Sequence, residues 1–95
     1  MAYFVLIGLD KAGGAELRAA TRPDHLAFLG SLGAKVKLVG PFLNDEGGAV
    51  GSMVIVEVED RAAAEAIQAA DPYAKAGLFA STDLRPWKLV GGGFA

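Results

Sequence analysis

The chain has 95 residues, of which 18 are alanine and 13 glycine, so its 53% hydrophobic content overstates the bulky side chains available for a core. One small domain over 1–95 is the limit, which excludes a multidomain enzyme, a complete doubly wound nucleotide-binding fold and a full α/β barrel. Nine basic against eleven acidic residues give a formal charge of −2 and no electrostatic funnel for nucleic acid, while the absence of cysteine excludes disulfides, thiolate nucleophiles and cysteine-ligated metals.

Residues 3–9 (YFVLIGL) read as a buried strand stopped by Asp10, with a KAGG loop at 11–14. The apolar run is too short, and too soon followed by Asp10 and Lys11, for a signal peptide. No apolar run of the chain is long enough to cross a membrane, so the expectation is a cytoplasmic location with no membrane partner. Residues 15–32 have a helical composition interrupted by Pro23. Either Thr21 or Arg22 caps a fresh helix with Pro23 in its first turn, or Pro23 kinks a longer helix. The first reading is preferred: an N-terminal turn, then a main helix near 23–32 closed by Gly33.

A second strand follows at 36–42 (VKLVGPF), where Pro41 marks an edge or an end and Lys35 and Lys37 are solvated lysines. Residues 44–51 (NDEGGAVG) form a turn-rich connection. The clearest strand is 52–59 (SMVIVEVE), whose alternation sets Val54, Val56 and Val58 on one face and Met53, Ile55, Glu57 and Glu59 on the other. Asp60 is an N-cap for a second helix over 61–70, and DPYAKAG makes a short turn or helical tail. The last strand lies within 78–90, with Pro86 at a break or an edge, and the GGGF segment within 91–95 is expected to fray.

The order strand, helix, strand, strand, helix, strand predicts an α+β fold, a ferredoxin-like βαββαβ sandwich with an antiparallel sheet. Helices then cover one face of the sheet only. The other face, with Met53 and Ile55, needs a cover that the short chain does not supply, which predicts a homodimer.

The chain has one histidine, His25, and an imidazole can act as acid or base if a partner fixes its tautomer. Arg22 stands three positions earlier on the same helical face and suits a carboxylate. Asp71, after the second helix, is by itself ordinary turn chemistry, yet side-by-side helices allow it to approach His25. Gly40, Pro41 and Phe42 end the second strand, and Ser52 begins the third with a hydroxyl for an anion but no base to make it a nucleophile. GLDKAGG matches no dinucleotide or phosphate-loop pattern, and one histidine with scattered acids makes no metal set, so no cofactor or metal is expected.

The segments ATRPDHLAFLGSLG and VGPFLNDEGGAVGSMVIVEVEDRAAAEAIQAADPYAKAGLFAS, over about 3–90, resemble the YCII-related (YciI-like) family. The resemblance implies a ferredoxin-like subunit that pairs as a dimeric α/β barrel. It also implies a His–Asp site, carried here by His25 of RPDHL and Asp71 of DPY, with Arg22 and Ser52 matching the family's arginine and serine. Two positions depart from the family pattern: Val39 replaces a glycine before GP, and Tyr73 replaces a phenylalanine after DP, which adds a hydroxyl at the pocket rim.

These features together predict a small enzyme of His–Asp acid–base chemistry (isomerisation, elimination or hydrolysis) on a small anionic or hydroxylated ring. Arg22, Ser52, Gly40, Pro41, Phe42 and Tyr73 would line its site. The alternative is a non-catalytic dimer that binds or senses a small molecule.

Overall fold

The computed structural model describes residues 1–94. In chain order these form β1 (Ala2–Asp10), α1 (Ala15–Leu32), a 3-10 turn (Gly33–Lys35), β2 (Val36–Leu43), β3 (Ala49–Val58), α2 (Arg61–Ala70), the single-turn α3 (Pro72–Lys75) and β4 (Phe79–Trp87). The four strands make one antiparallel sheet in the order β2-β3-β1-β4. Both prolines expected at edges occur in edge strands, Pro41 in β2 and Pro86 in β4, where a missing N–H costs no internal ladder bond.

The period-two pattern of β3 sends Val54, Val56 and Val58 toward the helices. There they meet Phe4 and Leu6 of β1, Leu84 of β4, Leu29 of α1 and Ala64 of α2 in one buried core. Asp60 caps α2 as expected, accepting from the Ala63 backbone N–H at 2.9 Å. The β2–β3 hairpin is held by Asn44, whose side-chain oxygen accepts from the backbone of Glu46 and Gly48, while Gly47 takes a positive φ of 86°.

Two expectations need correction. First, α1 is one continuous helix of 18 residues with Pro23 inside it, rather than a turn followed by a helix starting near 23. Pro23 and Ala19 are both exposed, so the missing bond between them falls on the solvent side of the helix, where losing it costs less than it would in the core. Second, the expected dimeric α/β barrel does not form. The sheet is open, with β2 and β4 as its two edges unpaired with each other, because four strands are too few to bend round and close.

The outer face of the sheet is apolar along its middle. Val5 and Ile55 are buried there, Tyr3, Ile7 and Met53 are half-buried, and Tyr3 meets Trp87 edge-on at 6.0 Å. The segment after β4 runs beside this face: Leu89 and Gly91–Phe94 border a cavity of about 380 Å³ with Leu38, Ile55 and Trp87. Gly91–Phe94 carry no helix or strand, and Ala95, the end of the segment expected to fray, lies outside the described residues.

Candidate active site

The site begins with the periodicity of α1. Its three buried side chains, Arg18, His25 and Leu29, recur at helical spacing and so share the face turned to the sheet and to α3. Arg22 belongs to the same stripe but is exposed. From the other side comes Asp71, which ends α2 in an extended conformation and caps α3 by accepting from the Tyr73 backbone N–H at 2.9 Å.

The two meet. His25 Nδ1 lies 2.9 Å from Asp71 Oδ1, with both side chains largely buried. A carboxylate only accepts, so Nδ1 carries the proton and Nε2 is the nitrogen left for a ligand. Asp71 Oδ1 thus takes two donors, His25 and its own turn, and the cap that shapes the turn also aims the carboxylate. The imidazole is stacked on the Tyr73 ring, with centroids 4.0 Å apart and planes inclined by 22°.

Next to this pair is an ion pair that sequence reasoning did not pick out. Arg18 grips Asp10 with two bonds, Nε to Oδ2 at 2.6 Å and Nη2 to Oδ1 at 2.9 Å, and Nη2 also donates to Ser52 Oγ at 2.9 Å. Its guanidinium carbon lies 4.5 Å over the Tyr73 ring. Hydrogen bonding to Asp10 raises the Arg18 pKa above its ordinary value despite burial, so the guanidinium stays charged. Burial pushes the Tyr73 hydroxyl up, against the opposing pull of Arg18 and Arg22, so the phenol stays neutral. The signal for Arg18 was present in the sequence: positions 18, 22, 25 and 29 mark one helical face. Asp10, read only as a strand stop, carried no such signal.

A cavity of about 200 Å³ opens onto these groups. Of the residues singled out from sequence, His25, Arg22, Ser52, Gly40, Pro41 and Tyr73 line it, together with Arg18, Leu26, Leu29, Val39 and Ala49. Asp71 stands behind His25, away from the lining, where a carboxylate can orient an imidazole without contacting a ligand. Phe42 is not brought to the cavity. The strand alternation turns it to the outer face, where it borders a depression with Met53. Ser52 is placed against a cation and no base, so it is equipped to donate its hydroxyl proton and poorly equipped as a nucleophile. Among the described residues no cluster of three or more histidine, aspartate or glutamate side chains is placed to hold a metal.

The fold and the buried pair define an α+β domain with a His–Asp pair beside a small cavity. The chain belongs to the YCII-related domain family, whose model matches residues 1–88. It is 40% identical over 95 residues to protein YciI of Escherichia coli O6:H1, covering 92% of this chain and 97% of that protein. It is 36% identical over 96 residues to an uncharacterized protein of Haemophilus influenzae, covering 93% and 98%. Among solved structures it resembles 5-chloro-2-hydroxyhydroquinone dehydrochlorinase of Burkholderia phenoliruptrix, in complex with 2,5-dihydroxybenzoquinone. That match has a TM-score of 0.84 and 34% identity, and covers 90% of this chain and 93% of the other. No helix of the described residues is long and apolar enough to cross a membrane.

Proposed function

We propose that the chain is an acid–base enzyme acting on a small hydroxylated ring, with His25 as the proton-transferring group and Asp71 as the carboxylate that orients it. The observation that carries this reading is the buried 2.9 Å His25–Asp71 pair at the wall of a ligand-sized cavity. With Nδ1 committed to Asp71, Nε2 accepts a proton from a ring hydroxyl, and the imidazolium so formed is stabilised by the carboxylate behind it. Arg22, exposed at the cavity, faces the negative charge that develops on the ring oxygen, and Ser52 supplies a neutral donor. Support for the substrate class comes from the dehydrochlorinase relative, whose name gives a chlorinated hydroxyhydroquinone as substrate and whose structure holds a dihydroxybenzoquinone.

The test compares the chain with its His25→Asn variant on 5-chloro-2-hydroxyhydroquinone and other hydroxylated rings, following turnover by absorbance. The expected result is a loss of about 100-fold or more in kcat for the variant, the usual scale of a positioned acid or base, with folding intact. Equal turnover by the two proteins would sink the proposal. Binding of 2,5-dihydroxybenzoquinone with no conversion of any ring by the wild type would make the chain a binding module instead.

We also infer that the chain pairs with itself through the outer face of the sheet. No helix covers this face, and Leu38 and Trp87 remain exposed beside the apolar Val5 and Ile55. Sedimentation equilibrium should return a mass near twice the 9.8 kDa of one chain, and Ile55→Lys should return a monomer. A wild type that sediments as a monomer at tens of micromolar would overturn this.

A further inference from the structure

Pairing of His25 with Asp71 leaves the Tyr73 hydroxyl without a role, although its ring is in contact with both His25 and Arg18. The His25 imidazole stacks on that ring with centroids 4.0 Å apart, and the Arg18 guanidinium carbon lies 4.5 Å over it. Two flat groups so close to one centroid cannot share a face, so the ring is gripped between them. Its backbone N–H is tied to Asp71 and its edge meets Phe79 at 6.1 Å. A ring clamped on both faces holds its hydroxyl in one place, as a recognition group requires.

That hydroxyl belongs to a residue only 1% exposed which nevertheless lines the 200 Å³ cavity. Its cationic neighbours, Arg18 and Arg22, carry no acceptor, so neither can take the hydroxyl proton. Asp71 Oδ1 is occupied by His25 and by the Tyr73 backbone N–H.

We propose that the Tyr73 hydroxyl is a fixed hydrogen-bond donor to an oxygen of the bound ring, and so selects ligands that present a phenolate, enolate or quinone oxygen at that point. This rests on the acid–base reading of the site and deepens it. His25 handles the proton that moves, while Tyr73 recognises an oxygen that stays in place. The clamp also explains why the phenol suits the role: stacking holds the ring whether or not the hydroxyl is present, so the hydroxyl is free to act on the ligand.

Tyr73→Phe keeps both stacking faces and deletes only the donor. With 2,5-dihydroxybenzoquinone as the probe, titration calorimetry should show the variant binding about tenfold or more weakly, the scale of one hydrogen bond to a charged oxygen, with an unchanged thermal midpoint. Equal affinity would overturn the proposal. Loss of turnover in His25→Asn together with equal affinity in Tyr73→Phe would fail this proposal alone, whereas a wild type that binds no hydroxylated ring would fail both. If the variant does not fold, the wild type labelled with 13C at tyrosine Cζ answers the question. The Tyr73 resonance should move on saturation with the quinone, and a resonance that stays put would overturn the assignment.

Discussion

Arg18→Met is expected to cost about 3–5 kcal/mol of folding stability, the scale of stranding one member of a buried ion pair. The side chains of Arg18 and Asp10 are 8% and 5% exposed, and three of the bonds in the cluster converge on the one guanidinium. Methionine preserves much of the length and apolar stem of Arg18 but leaves a carboxylate in a dry site and removes the donor from Ser52. The deficit should shrink in acid, where protonation relieves the stranded charge. It should also largely disappear in the double variant Asp10→Leu with Arg18→Met, because a buried pair replaced by apolar side chains of similar volume is often neutral. Urea denaturation of the single and double variants at pH 7 and pH 4.5 checks this. A loss below about 1 kcal/mol in the single variant at pH 7 would mean that water reaches Asp10 and that the cluster is surface chemistry.

Leu78→Ala is expected to cost about 2–5 kcal/mol, as large-to-small changes at fully buried positions do. Leu78 has no exposure, and it joins three elements where α3 gives way to β4. Its N–H donates to the Tyr73 carbonyl at 3.1 Å, its carbonyl accepts from the Lys11 N–H at 2.9 Å, and its side chain packs beside Gly14 at the start of α1. The cavity left by alanine would lie under the turn that carries Asp71 and Tyr73. Ligand binding should therefore weaken along with stability, in contrast to Tyr73→Phe, where only binding moves. Chemical denaturation gives the stability change directly. A change within 1 kcal/mol would show that the α3 turn collapses to refill the space.

Much of this molecule is written in local pattern. The alternation of β3 alone separated Val54, Val56 and Val58 from Met53, Ile55, Glu57 and Glu59, because successive side chains of a strand point to opposite faces. Asp60 announced the start of α2, and the two prolines announced edge strands, because each rests on a backbone group that is missing or unsatisfied at that point. Pro23 misled for the same reason. Its lost hydrogen bond is a local fact, but whether that loss breaks a helix depends on whether the orphaned carbonyl lies on the solvent or the core side, and Ala19 is exposed.

The candidate site divides in the same way. His25 and Asp71 were legible as chemistry and as a family resemblance, and the helical stripe at 18, 22, 25 and 29 contained Arg18 for any reading that extended the helix through Pro23. Phe42 was misplaced because one residue of strand alternation separates the cavity side from the outer face. The α/β barrel was an expectation from resemblance, whereas the sheet of this chain is open at β2 and β4.

Element types, apolar faces and the single imidazole can be read along the chain, since they follow from side-chain period and backbone chemistry over a few neighbouring residues. The tertiary structure alone decided that Asp10 from the end of β1 holds Arg18, that Arg18 and His25 grip Tyr73, and that Asp71 shares one oxygen between His25 and its own turn. Apart from the bond within the turn itself, those contacts join different elements of the fold, and their strength comes from exclusion of water. No local pattern encodes that exclusion. It exists only once α1 and the α2–α3 turn are packed together over the sheet.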